Sequence, residues 1–295
     1  MSTDVTTGFK LIKKVKASSF DSKSLDRYTL SLMVGVKDFQ FCVTTSQNEC
    51  LYIEDYKLEG LRTINDRLKV IKEIFNKHAL LRSYKWGIIK LCFKSQKFSL
   101  VPNSFFIPEV AGDYLILNSE VNTKIEEVYY YKHIKSEAVN IFAADKKIIE
   151  WVKSAYPSKH PQVIHQGSAL LEGIIRYDDH SHESMAFGFI DRGILHLMVT
   201  NKQNLVYYNQ FLVQGSDDYL KYTLSVFKEL GLNPKESKLV LWGIFNINSP
   251  HISALKKYVR NIAFGTKPNF VKFPKEFEDL PDHRYFDVYS LFLCD

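Results

Sequence analysis

Apolar and polar positions along residues 28–34, 39–45 and 50–56 follow the alternating or continuous apolar patterns of strands with one or both faces buried. The polar pair Gln47-Asn48 marks the turn between the second and third of these strands. Leu61, Ile64, Leu68, Ile71, Ile74 and Phe75 then recur at spacings of three and four, which predicts a helix over 61–77 with one apolar face. A further strand is predicted over 86–93. The same order returns later, with strands over 185–190, 194–200 and 205–213 and a turn at 201–204. Tyr219, Leu220, Leu224, Phe227 and Leu230 form a second helical stripe, which Gly231 stops, with Pro234 just beyond. A strand over 239–242 follows, then a helix opened by Pro250 and running through Leu255, Tyr258, Val259 and Ile262. Between the two runs the pattern gives a short helix around Phe105, strands over 128–131 and 139–143, and a helix over 146–155.

The two runs share residues as well as order. Val43-Thr44 with Gln47-Asn48 recurs as Val199-Thr200 with Gln203-Asn204, an offset of 156 residues, the separation of Asn48 from Asn204. On the same diagonal Tyr52 meets Tyr208, Leu68 meets Leu224, Val70 meets Val226 and Lys72-Glu73 meets Lys228-Glu229. Trp86-Gly87-Ile88 meets Trp242-Gly243-Ile244, so the alignment runs without a gap. The expected organisation is an N-terminal segment over 1–24, a first lobe over 25–180 and a second lobe over 181–295. Pro157, Pro161 and the charged stretch 178–183 supply the breaks before the boundary.

Three meandering strands, a crossover helix and a fourth strand, present twice, resemble the duplicated RNase H-like lobes of the actin, Hsp70 and sugar kinase superfamily. The fold class expected is therefore α/β, two βββαβ units in an actin-like, two-lobed architecture. Residues 86–102, ending in Phe98-Ser99-Leu100-Val101-Pro102, together with Val139-Asn140-Ile141-Phe142-Ala143 and Leu239-Val240-Leu241-Trp242-Gly243, resemble the bacterial family DUF3822, which has an actin-like ATPase fold and no established activity. The superfamily resemblance implies a nucleotide cleft between the lobes. It implies an Asp-x-Gly turn, followed by Thr, Ser or Gly, at which backbone N–H groups approach the phosphates and the acid holds a hydrated metal.

Those motifs are largely absent. The first-lobe turn Val34-Gly35-Val36-Lys37-Asp38 has a glycine and an acid in the reverse order. In the second lobe Asp191-Arg192-Gly193 keeps Asp-x-Gly but passes straight into the bulky Ile194, and the same three residues make an ordinary hairpin turn. The adenosine segment of the superfamily carries paired glycines; here Gly243 stands with Ile244 in place of its partner, and strand packing accounts for it as well. Asp191, Gly193 and Gly243 are the cofactor-binding candidates if a nucleotide site is live.

Composition narrows the remaining chemistry. The chain has 295 residues, 45% apolar and 24% charged, with a net charge of +6. Its lysines are scattered, and the cluster Lys10 to Lys16 is expected in a frayed, solvated N-terminal segment, which argues against nucleic acid as a partner. Cys42, Cys50, Cys92 and Cys294 lack Cys-x-x-Cys spacing and are expected as free thiols, the first three buried. No signal-peptide core or apolar run of spanning length is present, so a cytoplasmic setting without membrane contact is expected. Asp178, Asp179, His180, His182 and Glu183 offer metal-ligand chemistry at a spacing better read as a polar loop, and no metal is expected. No nucleophile elbow and no P-loop or Rossmann glycine pattern occurs, and Ser168 is expected near a helix start. Tyr129-Tyr130-Tyr131 and Tyr207-Tyr208 are expected to pack within strands. The leading expectation is a non-catalytic scaffold or binding module with a degenerate nucleotide site, no cofactor, and a protein partner. The alternatives are a divergent ATPase or small-molecule kinase binding ATP and magnesium between the lobes, and a protein- or RNA-binding adaptor.

Overall fold

The computed structural model describes residues 8–61, 63–177 and 184–295. The stretch 178–183, which carries the expected lobe boundary and the His/Asp/Glu cluster, lies outside the described residues. The first sheet joins β1 (Gly8–Lys16), β2 (Tyr28–Val34), β3 (Asp38–Thr45), β4 (Cys50–Glu59), β5 (Ile88–Phe93) and β9 (Gln162–His165) in the order β1-β4-β3-β2-β5-β9. The second joins β10 (Ser184–Asp191), β11 (Ile194–Asn201), β12 (Asn204–Leu212), β13 (Lys238–Gly243) and β14 (Asn261–Phe264) in the order β12-β11-β10-β13-β14. Without β1, the two orders are the same pattern. In both, the first strand of the meander lies antiparallel to the second and parallel to the strand after the helix. A third, antiparallel sheet of β6 (Phe98–Pro102), β8 (Ala138–Asp145) and β7 (Glu126–His133) is inserted between β5 and β9.

The helices are α1 (Ile64–Lys77), α2 (Lys146–Ala155), α3 (Gln166–Tyr177), α4 (Ser216–Glu229), α5 (Pro250–Tyr258) and the short α6 (Phe286–Ser290). Helix α1 starts at a capping box, Thr63 accepting from the Asp66 amide while Asp66 accepts from the Thr63 amide. It buries Ile71, Ile74 and Phe75 of the expected stripe together with Val70, while Ile64 and Leu68 are half-buried and Leu61 precedes the helix. The chain ends by crossing back from the second sheet to the first. Helix α6 packs on α3, and Lys90 of β5, itself buried, donates to the carbonyls of Leu291, Phe292 and Cys294 at 3.3, 3.0 and 2.6 Å. The four cysteines are buried and free. Among the described residues no helix is long and apolar enough to cross a membrane.

Three expectations are corrected. The lysine-rich N-terminal run is not frayed: from Gly8 to Lys16 it pairs antiparallel with β4, and four lysines of this strand stand at a sheet edge. Ile262 is not helical, since α5 ends at Tyr258 and Ile262 pairs with Leu239 in β14. The gapless repeat drifts. Asp38–Thr45 and Ile194–Asn201 keep the offset of 156, and both meanders carry a bulge at the matching step, Val43/Thr44 and Val199/Thr200. Beyond the bulge Val43 faces Tyr52 while Val199 faces Tyr207, so Tyr52 corresponds to Tyr207 rather than Tyr208. Helices α1 and α4 begin 152 residues apart (Ile64 and Ser216), one helical turn out of step, and β5 and β13 begin 150 apart (Ile88 and Lys238). Trp86 therefore precedes β5 while Trp242 ends β13, and their shared Trp-Gly-Ile is coincidence. The duplication lies in the topology, and shorter second-lobe connections account for the drift.

Candidate functional site

The ends of β2, β5 and β10 converge on a cleft of about 730 Å³ between the two main sheets, the crevice at strand carboxyl ends where open α/β sheets hold ligands. Val36, Leu61, Ile64 and Phe93 give it apolar walls. At its floor four acids and two cations from both sheets meet. Lys94, the residue after β5, continues the parallel pairing by donating its amide to Val34 O at 3.0 Å. Its buried ammonium reaches Asp38 Oδ2 at 2.6 Å, Asp191 Oδ2 at 2.8 Å and Asp287 Oδ2 at 4.0 Å. Arg192 crosses from the second sheet to the first, with one guanidinium nitrogen 3.0 Å from Asp38 Oδ2 and the other bidentate on Asp55 at 2.6 and 2.9 Å. Gln166, at the start of α3, donates through Nε2 to Asp191 Oδ2 and Asp287 Oδ2, each at 2.8 Å. Tyr285 donates to Asp55 Oδ2 at 3.3 Å.

Local backbone explains how these groups reach one another. Arg192 and Gly193 both have positive φ, 42° and 92°, the two-residue turn that matches the twist of paired strands, and it presents Asp191 and Arg192 side by side. Asp38 sits at the far end of its own turn, and a Cβ on Gly35 would lie 2.1 Å from its Oδ1, so glycine there leaves the carboxylate room. The other cleft cations are also matched, Arg67 with Asp145 at 2.8 Å and Lys97 with Glu126 at 2.7 Å. Lys37 is the cleft cation that has no ion pair among the described residues.

The sequence profile of DUF3822, a family described as proteins of unknown function, matches residues 17–262. The chain belongs to the DUF3822 family. No curated protein matches it. A Bacteroides thetaiotaomicron protein with an actin-like ATPase fold and unknown function is similar to the DUF3822 chain over 94% of its length and 99% of its own, with a TM-score of 0.79 at 19% identity. The PilM-PilN type IV pilus biogenesis complex contains a chain matched over 97% of its length and 90% of this one, with a TM-score of 0.61 at 14% identity. The DUF3822 protein thus has the actin-like ATPase fold, two-lobed and duplicated.

Of the three sequence candidates in the DUF3822 chain, Asp191 and Gly193 line the cleft and Gly243 is not among its lining residues. Gly243 ends β13 with φ +116°, donates its amide to His283 O at 2.7 Å, and would place a Cβ 2.1 Å from Ile190 O. Its backbone approach is to the neighbouring strand. Ser168 falls in the first turn of α3, and Tyr129 and Tyr208 pack on Phe142 and Phe98. Among the described residues no group of three or more His, Cys, Asp or Glu is arranged to hold a metal. Lys94, Asp55, Gln166 and Asp287 were not singled out by any motif.

Burial opposes ionisation of Asp191, but the adjacent Lys94 and Arg192 outweigh it and hold its pKa down at about 2. Burial likewise opposes the charge on Lys94, and Asp191, Asp38 and Asp287 overcome it and raise its pKa. Asp287 behaves differently: burial, reinforced by the charge of Asp191, pushes it up to about 6 despite Lys94. A carboxyl raised in the folded state above its unfolded value near 4 binds its proton more tightly folded, so its contribution is fully present below that value and is lost as pH rises through about 6. Asp287→Asn mimics the protonated form. Urea unfolding at about pH 8 is expected to find the variant more stable than the parent by about 2 kcal/mol, with the difference vanishing towards about pH 4. An equal difference at both pH values would refute the assignment.

Proposed function

We propose that this DUF3822 protein is a non-catalytic member of the actin-like fold whose interlobe cleft receives a protein partner rather than ATP and magnesium. The observation that carries the reading is the Lys94 ammonium, held 2.6 Å from Asp38 and 2.8 Å from Asp191. The actin-like resemblance implies that an acid in these turns holds a hydrated metal. Magnesium demands near-ideal octahedral oxygens and retains several waters. In this reading the residues present do not fit it, because an internal ammonium already stands against the same two carboxylates in a buried setting. Phosphates fare no better: four of the five cleft cations are matched by carboxylates, which leaves Lys37. Apolar walls and cations already paired with carboxylates suit a polypeptide with apolar side chains better than a triphosphate. A protein of the same fold, PilM, is found in a complex with PilN, which supports partner binding as a use of this architecture.

One observation favours the rival reading of a divergent ATPase or small-molecule kinase that uses Asp191, Gly193 and Gly243. Asp191 Oδ1 is buried without a hydrogen-bond partner among the described residues, its nearest cation being Arg192 at 3.5 Å, which leaves it an acceptor with capacity for a ligand's donor. Titration calorimetry with ATP, with and without magnesium, and a phosphate-release assay separate the two. The expected result is no binding heat and no phosphate release. Micromolar binding with magnesium-dependent turnover that Asp191→Ala abolishes would replace the proposal by its rival.

A further inference from the structure

Sheet edges expose unpaired backbone groups, and proteins guard them with charges, proline or brevity. Among the described residues, five of the six sheet edges are guarded. Strand β1 carries Lys10, Lys13, Lys14 and Lys16; β7 carries Glu126, Glu127 and Lys132; β6 ends in Pro102; β9 and β14 are four residues each. Strand β12 is the exception. It is nine residues long, stands at the edge of its sheet, and the sequence holds no charged residue between Lys202 and Asp217. In a chain that is 24% charged, such a gap at an edge leaves it unguarded.

The geometry of that edge is regular. The Val213 amide donates to Gly193 O at 2.9 Å, which fixes the alternation: Phe211, Asn209 and Tyr207 direct their amides and carbonyls to β11, while Leu212, Gln210 and Tyr208 direct theirs outward. The Gln210 amide accordingly turns to the side chain of its own neighbour, donating to Asn209 Oδ1 at 2.8 Å. Leu212 is 62% exposed beside it.

We propose that β12 pairs antiparallel with β12 of a second copy of this chain, about a two-fold axis through Gln210. Antiparallel pairing of identical strands is the isologous contact that two-fold symmetry requires. In this register Gln210 faces Gln210 of the second copy, and the backbone of Tyr208, whose side chain is buried against Phe98, faces that of Leu212 of the second copy. The three outward residues of each strand supply about six inter-chain hydrogen bonds. A second copy is the occupant that fits this edge: it brings a strand of the same length with the same outward-directed backbone groups and no charge to repel its counterpart. Leu212 also lines the interlobe cleft, so the test reads oligomeric state rather than cleft binding.

Sedimentation velocity from about 1 to about 200 µM tests it, since an interface of one strand pair falls at the weak end of stable contacts. The wild-type chain is expected to pass from monomer to dimer across that range. Leu212→Lys, which adds a guarding charge at an exposed position, is expected to remain monomeric with an unchanged melting temperature. Gln210→Pro removes an outward amide that β11 does not use and is expected to act likewise. A wild-type monomer throughout, a dimer that survives Leu212→Lys, or polydisperse aggregation without a discrete dimer would overturn the proposal.

Discussion

Lys94→Ala is expected to lower the unfolding free energy by about 3–5 kcal/mol at neutral pH. The ammonium stands between Asp38 and Asp191 with Asp287 at 4.0 Å, and its side chain is 4% exposed. Removing it leaves three buried carboxyls with Arg192 as the remaining neighbour, and the cost is the desolvated charge left behind rather than the lost pair alone. The deficit should shrink as pH falls, because protonation discharges the orphaned acids. Pairing the change with Asp191→Asn should recover part of the loss, a coupling that a double-mutant cycle in urea measures directly. A deficit below about 1 kcal/mol would mean that Lys94 is solvated, as a surface pair is.

Gly243→Ala carries the second large effect. With φ at +116° and a Cβ predicted to lie 2.1 Å from Ile190 O, alanine can be accommodated only by separating β13 from β10 at the very end of their parallel pairing. Backbone strain of this kind costs about 1–3 kcal/mol before the clash is added, so a loss of about 3 kcal/mol or more is expected by thermal or urea unfolding. The resemblance to nucleotide-binding folds instead assigns Gly243 to an adenosine contact. In that case alanine would weaken nucleotide binding at nearly unchanged stability, which the same pair of measurements distinguishes.

Much of the fold was legible because strand and helix periods differ. The strands Tyr28–Val34 and Asp38–Thr45 and their counterparts Ser184–Asp191 and Ile194–Asn201 carry alternating or continuous apolar runs, and α2 was bounded to the residue by its polar start and apolar stripe. Strand β1 was not legible. Its outward lysines and the register slip between Leu11 and Lys13 disguise a period of two, and its partner β4 lies some forty residues on. Pattern agreement also overreached, since Trp86 and Trp242 align in sequence yet sit at opposite ends of their strands.

The site was half legible. Asp191 and Gly193 announced themselves through Asp-x-Gly, a local turn. Lys94, Asp55, Gln166 and Asp287 are single residues on separate elements, and only the packing of the two sheets and the return of α6 brings them together. One signal was available: Lys90 lies within, and Lys94 directly after, an apolar strand that is largely buried, where an unpaired charge is prohibitively costly. A lysine so placed implies acceptors waiting in three dimensions, carbonyls for Lys90 and acids for Lys94, and Asp287, within the aromatic run Tyr285-Phe286-Asp287-Val288-Tyr289, gives the same hint from the other side.

In the proposed reading an internal ammonium stands where a metal would bind, and nitrogen-15 spectroscopy of lysine-labelled protein observes that ammonium itself. The expected result is a slowly exchanging Lys94 resonance that persists into alkaline pH and does not move on addition of excess magnesium and ATP. A Lys94 signal that shifts, broadens or joins the solvent-exposed lysines when magnesium and ATP are added would contradict it.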